Sequence, residues 1–481
     1  MDTIRSLNKK YLLIPKVLFF SIAMLFYTLH TFKSVFAKDK FGVSESAVGT
    51  GFGVLMFITF FTNIYIGSLN DKWGASKWFL IVFLCLSAFF FQLFFFTEYV
   101  ENIIPGVFWF NMLFYLGANL CTTPLMDKVI LEYLSKIPNI GAKTYGTQRL
   151  WGTVGYAVCN YVVEFIVTDS KNEATQWTNL RIYNLLVALA TVGMCFYFIN
   201  WDTSRRETGR QDMWKSFKEL ITNWDYMFFI FIILLNGLTR ASMTIFLTIY
   251  WKDVIKMKPF DLSGFPGVIS GPLSIFNNNT TSTANLFGIL FEIVTFFTAQ
   301  TIIEHLGYFW PLFLAQGAQM LRFVFYWMLP YDSDYSYAAV CGIELFKGLN
   351  FGLTHCSAVQ LAQRLCPPHL KSTSQMVYQG TFTGLGSVLA GLICSVVFSG
   401  DTMKNKNLPR SKRASVFNVF FIVNMLFTAL TLGLFFYMYG IVENVLFNRE
   451  NAEKKLEMYS EKEQEEKKKE QNLNKNLIEN K

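Results

Sequence analysis

The sequence predicts an all-α integral membrane protein of twelve transmembrane helices in two six-helix bundles. Three observations carry that expectation. Hydrophobic residues make up 52% of the 481, 51 of them Phe, while charged residues reach only 16%, well under the quarter usual in a soluble domain. Apolar runs of about 20 residues, long enough to cross a hydrocarbon core, recur along the chain. One long basic segment falls midway and divides the runs evenly.

Spans one to six lie near residues 12–36, 45–67, 77–97, 105–131, 148–168 and 180–200. Spans seven to twelve lie near 226–250, 284–304, 308–329, 337–363, 376–398 and 416–440. Span one is too long, and too charged at Lys16, for a cleaved signal peptide, so it is read as a helix. Pro and Gly inside several spans are tolerated where neighbouring helices satisfy the freed backbone groups. Gly49 and Gly53 in span two, with Gly380, Gly384 and Gly391 in span eleven, allow close helix packing. The stretch AFFFQLFFF in span three is expected to face lipid.

Residues 1–200 are expected to form the N-terminal bundle and 226–448 the C-terminal one. In the linker 201–225, Met213, Trp214, Phe217, Leu220 and Ile221 recur at helical spacing, which predicts a short helix on the membrane surface. The tail 449–481 carries nine basic and nine acidic residues, which argues for a solvated helix fraying into disorder rather than a lipid anchor.

An even number of spans places both termini on one side. The basic stretch RRETGRQDMWKSFKEL assigns that side to the cytosol, although KNKNLPRSKR before span twelve then faces outward with five basic residues. The sequence NNNTT at 277–281 holds two overlapping glycosylation acceptors, Asn278 and Asn279, in the loop after span seven. Such Asn/Thr stretches are equally at home in any flexible loop. The membrane is expected to be the plasma membrane or an endomembrane.

Composition also excludes functions. The formal charge of +8 is scattered over many loops, so no nucleic-acid partner is expected. All eight cysteines lie in spans or, for Cys366, just beyond one, which implies no disulfide framework. The four histidines are too dispersed for a metal site, and no glycine-rich phosphate loop is present. Neither an enzyme nor a cofactor is expected.

Between spans two and three stands GSLNDKWGASK, in which Gly67 and Gly74 permit tight turning, Asp71 suits a helix cap or a gate ion pair, and Lys77 follows. Span four ends PLMDKVILEYL, with Asp127 three residues after Pro124. Span five opens YGTQRLWGTVGY, where Arg149, Gly152 and Tyr156 share one helical face. An Arg that cannot shed its proton needs an acidic or acceptor partner inside a membrane, and Asp127 is the nearest in sequence. Forked donors, a carboxylate and an aromatic ring suit a hydroxylated ligand; the alternative is an Arg149–Asp127 pair that only fastens spans four and five together. In the second half Glu292 lies in span eight, Arg322 in span nine, and Glu344, Lys347, Phe351 and His355 on one face of span ten. Each charge at mid-membrane costs on the order of 3 kcal/mol, which favours a network of acids and bases over isolated ions. Lys16, His30, Lys33, Glu164 and Arg240 are weaker candidates that line the same cavity or, near a span end, snorkel to the interface, and a satisfied interior histidine is the better reading of His30 and His355.

The loop between spans two and three resembles the signature of the major facilitator superfamily, matched at Gly67, Leu69, Asp71, Gly74 and Lys77. PLMD followed by YGTQRLWGTVGYAV is similar to the lactose-permease and nucleoside:proton symporter branch, which has eukaryotic members too. That resemblance implies solute binding by Asp127, Arg149 and Tyr156, although Tyr156 replaces a Trp and the connection from acid to arginine is four residues longer. It implies proton coupling by Glu292, Arg322, Glu344, Lys347 and His355. Glu344 is the expected titrating acid, with Lys347 standing where the symporters carry an acid, which leaves a uniporter or an anion carrier open. The expectation is a monomeric, proton-coupled carrier of a small polar solute in a lipid bilayer, working by alternating access. The reading from a different class is a transporter-shaped receptor or scaffold that binds without transport.

Overall fold

The computed structural model describes residues 11–73, 75–96, 104–135, 137, 145–168, 177–199, 218, 220–264, 266–366, 374, 377–399 and 409–457. Every predicted apolar run forms helix within them, span one in two pieces. Span one comprises Leu13–Phe26 and Lys33–Phe41, span two Glu45–Trp73, span three Ser76–Leu93, span four Ile104–Ser135, span five Tyr145–Val167 and span six Thr178–Phe198. Span seven is Trp224–Ile249 extended by the π-helical turns Tyr250–Ile255, span eight Thr280–Phe297 with Ala299–Leu306, and span nine Phe309–Met328. Span ten is Ser336–Arg364, span eleven Gly380–Leu385 and Gly386–Val397, and span twelve Arg410–Phe435 with Phe436–Val442.

Eight helices among the described residues are long and apolar enough to cross a membrane by length and composition alone. The other four predicted spans fall short for visible reasons. Span one is broken between Phe26 and Lys33. Spans four, nine and ten are diluted by polar groups such as Asn119, Gln316 and Lys347.

The break in span one needs partners, because backbone at membrane depth is tolerated only where its polar groups are satisfied or line a wet cavity. Asn119 of span four donates to the Phe26 carbonyl at 2.9 Å, and Thr248 of span seven donates to the Thr31 carbonyl at 3.1 Å.

Core packing reveals how the bundle is closed. Leu18, Leu80, Met126, Val129 and Cys195 belong to a core built from the first six spans alone. Tyr226, Phe309, Leu361, Phe382 and Tyr439 belong to one built from spans seven to twelve with their flanking turns. The third core joins both sets: Phe36, Phe41 and Phe108 share it with Tyr250, Phe398 and Phe421. The two separate cores lie towards the end of the bundle where Leu13 and Val442 emerge, the terminal end. The shared core lies towards the opposite, far end, marked by Phe41, Val167 and Ile255.

Helix contacts agree. At the far end, a Cβ on Gly391 of span eleven would stand 2.2 Å from the Gly49 carbonyl of span two, so these helices touch backbone to backbone. Ser34 of span one donates to the Ile245 carbonyl of span seven at 2.6 Å.

One expectation is corrected. The segment bearing the glycosylation acceptors is not a flexible loop: Gly267–Asn278 is helical and runs into span eight after a break at Asn279. Asn279 is only 5% exposed and donates to the Ile275 carbonyl, so its side chain is sealed inside that junction, while Asn278 ends the preceding helix. Of the predicted surface helix, Met213, Trp214 and Phe217 lie outside the described residues; Leu220 is buried in the second-half core and Ile221 is exposed. The tail is helical over 449–457, where Lys455 binds Asp225 at 2.9 Å and Glu443 at 2.6 Å, and its remainder lies outside the described residues.

Candidate functional site

The space between the two sets of helices is lined by side chains from both. Span one contributes Tyr27, His30 and Thr31 from its break, where the backbone is irregular. Tyr156 of span five meets them, its ring 4.4 Å from Tyr27 and 5.9 Å from His30. Thr31 donates to Asn160 at 2.7 Å, one helical turn beyond Tyr156.

From the second set, Lys347 of span ten donates to Asn285 Oδ1 at 2.8 Å, and its ammonium lies 5.8 Å from the centre of the Tyr156 ring. Lys347 and Tyr156 thus approach across the space between the halves. Glu292 of span eight accepts from Thr153 of span five at 3.4 Å, a long bond, and lies within electrostatic reach of Lys347 and Arg149. His355 Nδ1 is 3.1 Å from the Tyr378 hydroxyl, with the ring 4.2 Å from that of Phe351. Arg240 of span seven holds its guanidinium 4.7 Å over the Phe382 ring.

Of the residues expected to bind solute, Arg149 and Tyr156 fall in this space, with Arg149 in electrostatic reach of Tyr27, Glu292, His355 and Tyr378. Asp127 differs from expectation. No described contact pairs it with Arg149; its Oδ1 is buried in span four without a hydrogen-bond partner. The extra residues in the connection from acid to arginine are consistent with that separation.

The expected coupling set splits in two. Glu344 does not face the cavity: it is 0% exposed and clamped by Arg322, whose Nη2 reaches both carboxylate oxygens at 2.8 and 2.9 Å while Nε lies 3.1 Å from Oε1. The Tyr326 hydroxyl donates to the same oxygen at 2.7 Å, and Trp251 donates to that hydroxyl at 3.1 Å. Lys347 is therefore not its neutralising partner. Helix geometry explains the divergence, since three residues at 3.6 per turn leave Lys347 roughly 60° from Glu344 around the axis. Glu344 meets span nine, and Lys347 meets span eight.

The far end carries charges the sequence did not single out as a unit. Lys38 binds Glu45 at 3.1 Å and also Asp253; Arg413 binds Asp253 at 3.0 Å and lies 3.9 Å from Glu45. Two acids and two bases from spans one, two, seven and twelve thus tie the halves together. Glu164 of span five, a weaker cavity candidate, instead accepts the backbone N–H groups of Thr281 and Ser282 at 3.1 and 2.6 Å. It caps the first turn of span eight, where an anion is favoured by free N–H groups and the helix dipole. Tyr161 donates to Thr283 at 2.9 Å beside it. No sequence signal separates such a cap from a cavity acid.

Of the expected terminal-end gate, Gly74 lies outside the described residues, and Gly67 and Asp71 belong to the helix Glu45–Trp73. Lys77 donates to the Phe196 carbonyl of span six at 3.0 Å, within the first half. Among the described residues no cluster of His, Cys, Asp and Glu has a metal-binding arrangement, and all eight cysteines are free thiols.

Comparison with known proteins follows this geometry. The MFS_1 like family model matches residues 11–263 and 273–407. The chain is 21% identical over 267 residues to the uncharacterized transporter YwbF of Bacillus subtilis, covering 55% of this chain and 57% of that protein. It is 24% identical over 252 residues to the isoprimeverose transporter of Lactiplantibacillus pentosus, covering 47% of this chain and 50% of that protein. The chain thus matches about half the length of these curated relatives. Among solved structures, the nucleoside transporter NupG superposes with a TM-score of 0.67 at 17% identity, over 88% of this chain and 98% of that one. A bacterial homologue of the human lysosomal transporter Spinster, inward-facing and unoccupied, superposes with a TM-score of 0.58 at 12% identity, over 89% and 96%. Broken span one, cores shared only at the far end, and a model match running through both helix sets fit together: the chain belongs to the MFS_1 like family of the major facilitator superfamily.

Proposed function

We propose that the chain is a secondary carrier that moves a small polar solute, sugar- or nucleoside-like in its body, by alternating access. The observation that carries this reading is the lining of the interhelical space. Tyr27, Tyr156, Arg149, Lys347, Glu292 and His355 converge from spans one, five, eight and ten, behind a far end sealed by ion pairs and close helix packing. Such a lining offers flat rings for a cyclic body and polar groups for its hydroxyls. With both termini in the cytosol, this arrangement is the inward-open state, and exchange of the far-end latch for terminal-end contacts gives the outward-open one.

Proton coupling falls to Glu292 rather than Glu344. Of the two, Glu292 joins the halves through Thr153 and shares its surroundings with Lys347 and Arg149. A carboxyl whose cationic neighbours approach and withdraw as the halves rock changes its proton affinity with conformation, which is what symport requires. The likeness to NupG and to the isoprimeverose transporter supports a sugar- or nucleoside-like body.

Uptake of labelled sugars, nucleosides and their phosphorylated forms by vesicles containing the purified chain, with and without an inward proton gradient, tests the reading. Accumulation that requires the gradient, and its loss in Arg149→Ala, is the expected result. Binding without accumulation identifies a receptor instead.

A further inference from the structure

Several buried or half-buried cations at the ends of the bundle and between spans nine and ten are matched by acids: Arg322 with Glu344, Arg413 with Asp253, Lys38 with Glu45, Lys455 with Glu443 and Asp225. The space between the halves is different. Lys33, Arg149, Arg240 and Lys347 act electrostatically on its histidines and tyrosines, and among the described residues Glu292 is the acid acting with them. Leaving Arg149 aside, Lys33, Arg240 and Lys347 face that one carboxylate, a surplus of two, and no described contact joins Asp127 to them.

Among the described residues Lys33, Arg240 and Lys347 are in no ion pair, and of these Lys347 is held by Asn285. Lys33 follows the break in span one and is 7% exposed, with its ammonium 5.2 Å over the Phe52 ring. Arg240 lies across from it on span seven, with its Nε buried and without a hydrogen-bond partner. The two lie within electrostatic reach of each other and of His30. Like charges placed together at membrane depth are costly unless something anionic joins them. A neutral sugar or nucleoside leaves that surplus standing.

We infer that the solute is an anion, a phosphomonoester of a sugar- or nucleoside-like body, whose phosphate is taken by Lys33 and Arg240 while its ring rests against Tyr27 and Tyr156. A phosphomonoester carries about −1.5 to −2 charge near neutral pH, which matches a surplus of two. The forked guanidinium of Arg240 suits two of its oxygens, and Lys33 supplies a point charge from the facing span. Each cation already lies over an aromatic ring, Lys33 over Phe52 and Arg240 over Phe382, which stabilises it in the absence of an anion. This inference rests on the reading of the interhelical space as a solute site and specifies its chemistry.

The test is ligand binding to the purified full chain in detergent, using glucose against glucose 6-phosphate and uridine against uridine 5′-monophosphate, with inorganic phosphate as competitor. The expected result is at least about tenfold tighter binding of the phosphorylated member of a pair. That preference should collapse in Arg240→Gln and in Lys33→Gln. It should increase in Glu292→Gln, a gain no purely structural role of these residues produces. Equal or tighter binding of the neutral members, preference surviving in both cation variants, or binding of none of the four overturns the inference. Vesicle uptake separates the two levels. A phosphorylated solute that binds but never accumulates removes the carrier and keeps the anion site. A neutral solute that accumulates while its phosphate ester does not removes the anion site and keeps the carrier.

Discussion

Replacing Glu344 by Gln distinguishes a coupling acid from a structural ion pair. The carboxylate is fully buried, receives three contacts from Arg322 between 2.8 and 3.1 Å, and accepts the Tyr326 hydroxyl at 2.7 Å. Gln preserves the shape but leaves the Arg322 guanidinium, itself 3% exposed, without its counter-charge. Removing one partner of a buried pair costs about 3–5 kcal/mol, whereas replacing both by apolar groups of similar volume is often neutral or stabilising. The expected result is therefore a strongly lowered unfolding midpoint for Glu344→Gln, Glu344→Met and Arg322→Met, with most of the loss recovered in the double variant Glu344→Met, Arg322→Met. Thermal unfolding of the detergent-solubilised chain, read as a double-mutant cycle, measures the coupling. If Glu344→Gln melts like the parent and loses only gradient-driven uptake, Glu344 titrates during transport and its assignment here as a fastening between spans nine and ten is wrong.

Glu292→Gln should behave oppositely, keeping the parental midpoint and solute exchange while losing accumulation driven by a proton gradient; counterflow and gradient-driven uptake in the same vesicles decide this. Neutralising the far-end latch with Glu45→Gln and Asp253→Asn together removes the carboxylates that hold Lys38 and Arg413. Maleimide labelling of Ser46→Cys, at a position that bonds to the Ser395 carbonyl across the halves, should then rise several-fold, and unchanged labelling would show that packing alone seals that end. Gly391→Leu should also raise that labelling, because even a Cβ there would stand 2.2 Å from the Gly49 carbonyl and must wedge spans two and eleven apart; a variant labelled like the parent contradicts the close contact.

Much of this protein follows from its sequence alone. Apolar runs of membrane length specify where helices form, because a backbone in hydrocarbon must satisfy its own hydrogen bonds. The motif around Gly67–Lys77 and the YGTQRLWGTVGYAV stretch placed the chain in its superfamily, and isolated residues such as Arg149, Lys33 and Arg240 announced a polar interior within apolar text. Which charge meets which did not follow. Glu344 and Lys347 share a helical face in the sequence, yet a rotation of roughly 60° sends one into Arg322 and the other towards Asn285 and Tyr156. Glu164 read as a cavity acid and proved to be a cap on a helix more than a hundred residues away. Asp127 read as the partner of Arg149 and stands apart from it. Spacing along one helix determines direction about its own axis, whereas ion pairing depends on which neighbour that direction meets. That depends on how the twelve helices pack, through contacts distant in sequence such as Gly49 against Gly391 and Lys38 against Asp253.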